Sequence, residues 1–506
     1  MIRKIARSIL NSYYKPVEKF VADPLGTQHR TLQYLIEHGR NTLYGNKMNF
    51  ENIQNENDFA SRVPVISYEE LRPYLDDIII RKKKNVLWDT PIKWFAMSSG
   101  TTEDKSKYIP VTKESLNNVN YRGGYHMLGT YAVHHPDTSF VLGKTLVMGG
   151  SQQINQIGGD IFTGDISAIL MKNLPRAIKK RRTPEEIALM SDWEEKLQNL
   201  TDYAIKTDIR ALLGVPSWML VLLKKIVEDT GKTIPEIWPQ IEVFFHGGVS
   251  FTPFSEQYEK IIRLDKMRYW ETYNASEGFF GVQFSPDSKD LLLLLDNEVY
   301  YEFLPVEEWN KELPKAIPLE GVETGKQYAV IITTSGGLWR YKLGDTVMFT
   351  STDPYLFKLT GRTKQFINAF GEELIVENAD KAIEEACIET GAKVTEYTAA
   401  PVYFSENHNG AHEWLIEFDA VPNDLNKFIQ ALDESLKRHN SDYEAKRSYN
   451  LSLDLPIVKM LEKGSFYGWM KQKDKIGGQN KVPKLSNNRN YVDSVLEFVS
   501  KNTKIE

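Results

Sequence analysis

The sequence predicts an α/β fold with a large N-terminal domain of layered, mainly parallel sheets, an antiparallel β subdomain and a smaller α+β domain at the C-terminus. Segments typical of buried strands and of helices alternate over residues 90–280, an order that favours parallel sheets covered by helices. Short strands separated by turns follow from about 280 to 360, which indicates an antiparallel sheet or a small barrel. From about residue 366 to 506 the order is β-α-β-β-α, which is typical of a small α+β domain.

Length and composition limit the classes of protein to be considered. The chain has 506 residues, 41% of them apolar, so it can bury a substantial core. Lysine and arginine number 62 against 68 aspartates and glutamates, and the net charge of −6 gives no reason to expect a nucleic-acid partner. The single cysteine, Cys387, excludes an intrachain disulfide and agrees with a reducing compartment, so we expect a cytoplasmic protein. No run approaches the roughly 18 apolar residues of a membrane span.

The N-terminal segment is basic but has no continuous apolar core, so we do not expect a secretory signal. Ile2, Ile5, Ile9 and Leu10 recur at helical spacing, which predicts an amphipathic helix docked on the protein body. A helix lying on a membrane surface is the alternative. Further helices are predicted at residues 28–42 and 67–76.

Residues 97–109, MSSGTTEDKSKYI, contain a dense group of small polar side chains after a predicted buried strand at 92–97. Their hydroxyls and backbone N–H groups suit phosphate oxygens, and the basic residues Lys105 and Lys107 follow. The segment is also compatible with a simple Ser/Thr/Gly turn between two strands. It lacks the second glycine and the spacing of GxxxxGK[ST], so a P-loop NTPase is disfavoured.

The middle of the chain supplies the alternating elements of the predicted parallel layer. A buried strand is predicted at 144–150 and a turn-rich loop at 158–165. Residues 183–186, TPEE, predict a helix start with Thr183 as N-cap. A deeply packed helix is predicted at 214–231, with a glycine at its end.

A buried strand predicted at 241–245 runs into a second candidate loop at 246–250. In parallel sheets, ligands bind beyond the carboxyl ends of the strands. The loops at 98–102, 247–248 and 273–277 each follow a predicted strand, so we expect them to lie on one edge.

Residues 271–278, ETYNASEG, combine three groups useful to a nucleotide site. Tyr273 is suited to stack on a purine. Ser276 offers a hydroxyl to phosphate, and Glu277 offers a carboxylate to a Mg²⁺ ion that phosphate oxygens also hold. An ordinary loop before the strand at Phe279 is the alternative.

Three further candidates lie towards the C-terminus. Asp345 follows a glycine at the end of a predicted strand and can accept from both ribose hydroxyls, although an aspartate in a tight turn looks the same. Arg362 carries a permanent charge that suits a phosphate or a ribose. Lys481, in the basic loop GGQNKVPK at 477–484, is a candidate to neutralise charge on a reacting phosphate.

Caps and periodicity predict the C-terminal elements. Asn378 is the expected N-cap of a helix that Gly391 ends, and Asn423 is the expected N-cap of another. Cys387 lies on the first of these helices among apolar residues, which favours a core thiol over a nucleophile.

Other enzyme classes are not supported by the sequence. It has no GxSxG elbow of an α/β-hydrolase and no GxGxxG after a strand as in a dinucleotide fold. It has no HExxH, and its nine histidines show no spacing of metal ligands.

The order of these segments resembles the adenylate-forming enzyme superfamily and, within it, the Gretchen-Hagen family of acyl-acid amido synthetases. The resemblance covers nearly the whole chain and is carried by SSGTTEDKSK at 98–107, ETYNASEGFFG at 271–281 and LWRYKLGDTV at 338–347. It implies that a carboxylate attacks the α-phosphate of ATP, giving acyl-AMP and pyrophosphate. The amine of an amino acid then attacks the acyl carbon, and AMP leaves.

The resemblance also implies domains and residue roles. An N-terminal domain at 1–363 is followed by a mobile C-terminal domain at 364–506, with Lys364 in the hinge. Lys481, Glu277 and Arg362 are expected in catalysis, and Glu277 helps to hold Mg²⁺ through the phosphates. The expected ATP-binding residues are Ser98, Ser99, Gly100, Thr101, Thr102, Lys107, Gly247, Gly248, Val249, Ser250, Glu271, Thr272, Tyr273, Ser276, Asp345 and Arg362.

Placement on strand ends and on a packed helix, not the resemblance, suggests an acyl pocket at Met148, Gly149, Ser217 and Trp218. The expected partners are a small carboxylic acid and an amino acid, and the chain is expected to be a monomer or a weak homodimer.

Two positions depart from the plant members of the family. Asp104 stands where they usually have glycine, and Glu373 where they tend to have a basic residue.

Three alternatives remain open at this point. An acyl-CoA ligase of the same superfamily shares the first half-reaction and differs in the acceptor. A phosphotransferase would use the same loops and release ADP. A nucleotide-binding protein without turnover would bind ATP only, and the presence of Glu277, Asp345 and Lys481 argues against it.

Overall fold

The structure is a computed structural model of the chain. It describes residues 2–99, 106–148, 154–190, 192–249, 251–263, 266–309, 311, 313–362, 365–404, 409–447, 453–473 and 482–502. The predicted site residues that lie outside the described ranges are Gly100, Thr101, Thr102, Gly149, Ser250, Lys364 and Lys481. Ser99 and Arg362 are described by their backbone only.

The described residues form eighteen α-helices. They are α1 (Ile2–Ala22), α2 (Pro24–Gly39), α3 (Leu43–Lys47), α4 (Glu56–Arg62), α5 (Tyr68–Ile79), α6 (Arg122–His134), α7 (Ile166–Asn173), α8 (Arg176–Lys179), α9 (Glu185–Ala188), α10 (Trp193–Ala204), α11 (Pro216–Thr230), α12 (Ile234–Ile237), α13 (Ser255–Ile262), α14 (Val376–Thr390), α15 (Leu425–His439), α16 (Ser441–Arg447), α17 (Ser465–Gln472) and α18 (Asn490–Asn502).

The same part of the chain forms twenty β-strands. They are β1 (Trp94–Ser99), β2 (Ser106–Val111), β3 (Lys144–Val147), β4 (Asn155–Gln156), β5 (Phe162–Gly164), β6 (Ile209–Gly214), β7 (Val243–Gly247), β8 (Arg268–Ala275), β9 (Gly278–Ser285), β10 (Ser288–Leu293), β11 (Val299–Pro305), β12 (Ile317–Pro318), β13 (Gln327–Thr334), β14 (Leu338–Thr352), β15 (Tyr355–Arg362), β16 (Phe366–Ile367), β17 (Leu374–Ile375), β18 (Lys393–Val402), β19 (Ala411–Ala420) and β20 (Ile457–Leu461).

The largest sheet has eleven strands in the order β12-β11-β13-β14-β15-β10-β9-β8-β7-β6-β3. β3, β6, β7 and β8 are parallel neighbours, whereas the strands from β8 to β12 pair antiparallel. The predicted parallel layer and the predicted antiparallel part are therefore both confirmed. The structure adds that they form one continuous sheet.

The antiparallel part of this sheet curls around an apolar interior. In a flat sheet, β8 and β11 would be roughly 29 Å apart, because six spacings of ~4.8 Å separate them. Side chains of both strands nevertheless line one small cavity together with those of the five strands between them. The lining residues are Tyr273, Phe280, Leu293, Tyr301, Phe303, Val330, Val347, Phe349 and Phe357.

A separate four-stranded sheet has the order β2-β1-β5-β4, and β1 runs parallel to β5. The prediction of a loop at 158–165 was therefore wrong for residues 162–164, which pair with Trp94 and its neighbours. Three residues are too few for a strand period to be seen in the sequence. The expected common edge is also corrected, because β1 does not belong to the sheet that contains β7 and β8.

Two predicted elements of the parallel layer are confirmed with small shifts. Helix α11 starts at Pro216 and ends before Gly231, whose φ of +63° is the left-handed conformation that glycine adopts readily at such ends. β7 starts two residues after the predicted strand and ends in Gly247. The start of α11 and the end of β7 both lie at the carboxyl end of the sheet, because β6 and β7 are parallel.

Helix α1 packs against α6, which confirms that it docks on the protein body, although part of its predicted apolar face is exposed. Leu10 and Phe20 are buried, and Gly129 on α6 permits the close approach, because a Cβ at Gly129 would lie 2.7 Å from backbone atoms of α1. Ile5 and Ile9 are 55% and 48% exposed. The buried face of α1 therefore includes Leu10 and Phe20 but not Ile5 and Ile9.

Thr183 does not cap a helix, so that part of the prediction was wrong. Its hydroxyl accepts a 2.8 Å hydrogen bond from the backbone N–H of Val147, at the end of β3. Pro184 is the N-cap residue of α9, which has only four residues. The longer helix α10 begins after Asp192, whose carboxylate accepts from the N–H of Glu195.

Contacts divide the chain into two compact units. The first consists of Met1–Met97, Tyr108–Gly248 and Gln257–Thr363, and the second of Ser98–Lys107, Val249–Glu256 and Lys364–Glu506. Within the second unit Phe254 packs against Phe404, with 5.9 Å between the ring centroids. The predicted mobile domains at 1–363 and 364–506 stay a prediction.

The second unit contains a three-stranded sheet of order β18-β19-β20 and the packed helices α14 and α15. This confirms the predicted helix-strand-strand-helix order. The helix starts differ from the predictions. Asn378 lies inside α14 and accepts from the N–H of Ile375, and Asp424, not Asn423, caps α15. Burial raises the pKa of the Cys387 thiol, as expected of a packed thiol and not of a nucleophile.

Glu385 on α14 makes the stability of this unit depend on pH. Burial acts to raise the pKa of Glu385, but hydrogen bonds with Ser435, Arg438 and His439 outweigh it and lower the pKa to about 2. Because the folded pKa is below the ordinary value of ~4.4, the carboxylate stabilises the fold above that pH. This contribution is lost as the pH falls towards 2.

We therefore expect thermal unfolding of the wild type to shift downwards between about pH 4.5 and pH 2 more steeply than that of Glu385→Gln. Melting temperatures recorded by circular dichroism across this range would measure the difference. Glu389→Gln, on the same helix and in an exposed pair with Lys427, is the matched control and should keep the wild-type slope. Parallel curves for wild type and Glu385→Gln would contradict the expectation.

Candidate functional site

The carboxyl ends of β3, β6, β7 and β8 lie side by side along one edge of the large sheet. Met148 follows β3 directly, and Gly247 with Gly248 ends β7. Tyr273 lies near the end of β8, followed by Ser276 and Glu277 in the turn to β9. The structure thus brings several predicted site residues to the edge at which parallel sheets bind ligands.

The ends of β7 and β8 approach each other so closely that only glycine fits. Gly247 pairs with Thr272, and a Cβ on Gly247 would lie 2.4 Å from the carbonyl oxygen of Thr272. The hydroxyl of Thr272 donates to the carbonyl of His246 at 3.1 Å. Gly248 has a φ of +84°, which also favours glycine. The end of β7 is therefore packed closely against β8.

Charge at this edge does not come from His246. Burial, with a contribution from Lys289, lowers the pKa of His246 to about 3, so the imidazole is neutral at pH 7. Its register partner Glu271 has its pKa raised by burial, which Lys289 partly offsets. The backbone N–H of Glu271 donates to the side chain of Gln283 at 3.0 Å, which fixes this part of β8.

Glu277 lies in a tight turn between β8 and β9. Ala275 of β8 pairs with Gly278 of β9, so Ser276 and Glu277 form the two-residue loop of a hairpin. A Cβ at Gly278 would lie 2.8 Å from the side chain of Val119, so this end of the hairpin is tightly packed. Ser276 and Glu277 are partly exposed.

Among the described residues, no group of three or more His, Cys, Asp or Glu side chains could hold a metal ion. The described residues therefore do not form a metal site made of protein ligands alone. A partly exposed carboxylate such as Glu277 suits Mg²⁺, which is commonly held by one or two carboxylates together with substrate phosphates. The donor set fits a Mg²⁺ ion that arrives with a nucleotide.

Asp345 lies on β14 opposite Arg362 of β15 and directly after Gly344, whose φ is +90°. Its Oδ2 accepts a 2.7 Å hydrogen bond from the hydroxyl of Tyr273. A hydrogen bond therefore connects Tyr273, which is predicted to stack on adenine, with Asp345, which is predicted to bind the ribose. The sequence analysis did not foresee this contact.

The other predicted residues are placed as follows. Ser98 is near the end of β1 and Lys107 near the start of β2, both partly buried. Met148 is buried beside the turn from β6 to α11, where its carbonyl lies 4.0 Å from the Cβ position of Gly214. Ser217, in the first turn of α11, is fully buried. The assignments to phosphate and to an acyl pocket stay predictions.

Sequence reasoning missed the residues that support this site. Phe280 and Phe357 pack against the ring of Tyr273, with centroid distances of 5.2 and 6.0 Å. Gln283 accepts from β8, as described above. The aromatic residues of β9 and β15 were visible in the sequence, but their spacing does not tell which of them face the same interior.

Comparisons with known proteins agree with this arrangement. Residues 13–267 match the GH3 family N-terminal domain, residues 292–362 the GH3 family central domain and residues 377–490 the GH3 family C-terminal domain. An indole-3-acetic acid-amido synthetase of Arabidopsis thaliana is 24% identical, over 89% of this chain and 87% of its own length. A jasmonoyl–L-amino acid synthetase of Nicotiana attenuata is 23% identical, over 94% of this chain and 93% of its own length.

Two solved structures share the fold. An acyl acid amido synthetase, GH3.15, in complex with 2,4-DB has a TM-score of 0.61 at 19% identity and covers 97% of both chains. A 2-hydroxyisobutyryl-CoA ligase in complex with 2-HIB-AMP and CoA has a TM-score of 0.56 at 14% identity, covering 96% of this chain and 94% of that one. The predicted fold class is thereby confirmed.

No helix in the described part of the chain is long and apolar enough to cross a membrane.

Proposed function

This chain belongs to the GH3 family, and from that premise we propose that it is an ATP-dependent acyl-acid amido synthetase. It adenylates a small carboxylic acid and transfers the acyl group to the amine of an amino acid. The observation that carries the proposal is the match of three consecutive GH3 domains from residue 13 to 490. The edge formed by β7, β8 and the β8–β9 turn supplies polar groups suited to a nucleotide.

The reaction has two balanced steps. An oxygen of the acid forms a bond to the α-phosphorus of ATP, and the bond to the β-phosphate breaks to release pyrophosphate. The ammonium group of the amino acid loses one proton to give a neutral amine, which bonds to the acyl carbon. AMP leaves with the electron pair of the broken C–O bond, and the nitrogen releases a second proton to water as the amide forms. Mg²⁺, when bound, neutralises phosphate charge so that the anionic carboxylate can approach.

In this proposal the chain's own residues position the nucleotide. Asp345 binds the ribose hydroxyls, and the backbone at Gly247 and Gly248 lies beside the base. Glu277, in the turn of the β8–β9 hairpin, holds the metal end of the nucleotide. Ser98 and Lys107, with the loop between them, grip the phosphates, and Lys481 and Arg362 act in catalysis.

The test is ATP–pyrophosphate exchange with a panel of aromatic and aliphatic carboxylic acids, followed by AMP release when amino acids or CoA are added. Exchange with one acid, and AMP release with an amino acid, is the expected result. ADP as the product would point to phosphoryl transfer. ATP binding without exchange across the panel would favour the nucleotide-binding protein that does not turn over.

A CoA ligase is the second candidate, because the 2-hydroxyisobutyryl-CoA ligase shares the fold over nearly the whole chain. The first half-reaction is the same for both candidates, so ATP–pyrophosphate exchange does not distinguish them. The acyl acceptor that releases AMP distinguishes them. AMP release that depends on CoA and not on amino acids would replace the amido synthetase by the ligase.

Glu277→Ala is expected to raise the Mg²⁺ concentration needed for half-maximal exchange by at least about tenfold, the scale on which lost support of a metal site reduces affinity. A Mg²⁺ titration of the exchange rate measures it. Glu323→Ala, an exposed glutamate that pairs with Lys326, is the control and should leave the titration unchanged. Identical titrations for Glu277→Ala and wild type would remove Glu277 from the metal site.

A further inference from the structure

The contact between Tyr273 and Asp345 is short and enclosed. The phenol hydroxyl donates to Oδ2 of Asp345 at 2.7 Å, and the two residues are 6% and 8% exposed. Hydrogen bonds from a hydroxyl to a carboxylate are commonly this short and about twice as strong as neutral ones. The pair is therefore a fixed part of the site and not a surface contact.

The curl of the sheet creates this contact. β8 and β14 are separated in the sheet by β15, β10 and β9, so the two residues are not strand neighbours. Their side chains meet inside the curled part, where Phe280 and Phe357 pack against the Tyr273 ring. An aromatic side chain has only two rotatable bonds, and packing on the ring fixes both. The position of the hydroxyl is therefore fixed beside Asp345.

Tyr273 and Asp345 are buried to a similar degree, with 6% and 8% of their surfaces exposed, so burial does not favour one of their predicted roles over the other. The ring of Tyr273 is predicted to stack on adenine, and its hydroxyl reaches the residue that is predicted to bind the ribose. The two roles use different atoms of Tyr273, so a role through Asp345 is compatible with stacking.

We propose that Tyr273 is a positioning residue that sets the orientation in which the Asp345 carboxylate meets the ribose hydroxyls of the nucleotide. The proposal rests on the proposed function, which supplies the ATP. The hydrogen bond to Oδ2 helps to fix the plane of the carboxylate, so its loss would leave more of that order to be imposed when the nucleotide binds. Holding a polar group in its productive orientation before binding is how such support adds affinity.

The test compares Tyr273→Phe with wild type in direct binding of ATP and of 2′,3′-dideoxyATP, by calorimetry with Mg²⁺ present. The dideoxy compound lacks both hydroxyls, so it does not use Asp345. Tyr273→Phe keeps the ring and should weaken ATP binding by about tenfold while leaving dideoxyATP binding unchanged. The dissociation constant of 2′,3′-dideoxyATP divided by that of ATP should therefore fall about tenfold.

Three further variants make the test specific. Asp345→Asn should lower the same ratio, and adding Tyr273→Phe to it should lower the ratio no further, because the tyrosine acts through the aspartate. Tyr328→Phe is the matched control. Tyr328 is buried on the neighbouring β13, its hydroxyl accepts from the N–H of Glu323 at 3.1 Å, and the ratio should keep its wild-type value.

Two results would overturn the proposal. If Tyr273→Phe weakened both nucleotides equally, the tyrosine would act through stacking or folding and not through the ribose contact. If the ratio did not change, the hydroxyl would have no role in nucleotide binding. Binding is measured without an acyl acid, so absence of exchange with every acid would count against the proposed function and not against this inference.

Discussion

Lys481→Ala is expected to reduce ATP–pyrophosphate exchange by roughly 10²–10³-fold while leaving ATP binding nearly unchanged. Removing one group that stabilises charge developing in a transition state commonly has an effect of that size. Adenylation brings a carboxylate against a phosphate, so a cation at the α-phosphate acts mainly in the transition state. Exchange rates with the acid found by the panel, and ATP affinity by calorimetry, measure the two quantities.

The same variant should retain transfer from acyl-AMP supplied directly, since the second half-reaction does not require the adenylation lysine. Lys484→Ala is the matched control, because Lys484 is three residues away and is held by Asp380 at 2.9 Å and over the ring of Tyr397. It should leave the exchange rate near the wild-type value. Equal losses of ATP binding and exchange in Lys481→Ala would contradict the assigned role.

Arg340→Met is expected to destabilise the protein by about 3–5 kcal/mol, the usual cost of leaving one member of a buried ion pair alone. Arg340 and Glu302 are both buried and joined by two hydrogen bonds of 2.8 Å. The guanidinium also donates to the carbonyls of Ala60 and Val63. Methionine keeps the volume but leaves the Glu302 carboxylate without its partner. Thermal and denaturant unfolding measure the loss.

A second variant tests the physical reason for this loss. In Arg340→Met with Glu302→Leu, both charges are removed, and much of the lost stability should return. Lys326→Met, which breaks an exposed pair with Glu323, should cost no more than about 1 kcal/mol. An Arg340→Met protein as stable as wild type would show that the pair does not hold the start of β14 in place.

Local patterns in the sequence were sufficient wherever a structure depends on near neighbours. The ends of α11 follow from Pro216 and Gly231, and several strands from β9 to β13 follow from short apolar runs and turns. The prediction of a strand end at Asp345 was wrong, because β14 continues through Gly344 and Asp345 to Thr352. Caps were less certain, because a hydroxyl or amide can bond elsewhere. Thr183 bonds to β3 instead of starting a helix, and the capping role next to Asn423 belongs to Asp424.

The order of motifs along the chain was also sufficient for the family, which the three GH3 domains confirm. The chemistry of each motif constrains residue types at short spacing, and such constraints are visible without a structure. The same motifs did not reveal which sheet each belongs to. β1, with Ser98 near its end, belongs to the four-stranded sheet, although its pattern is like that of β7.

The sequence by itself determined the fold class, the types of most elements and the family, and it provided Asp345, Tyr273 and Glu277 as candidate site residues. Only the tertiary structure decided that the hydroxyl of Tyr273 meets Asp345 and that its ring lies between Phe280 and Phe357. The reason is physical. Periodicity and caps act over a few residues, whereas this contact depends on strand order and on the curl of a sheet whose strands come from distant parts of the chain.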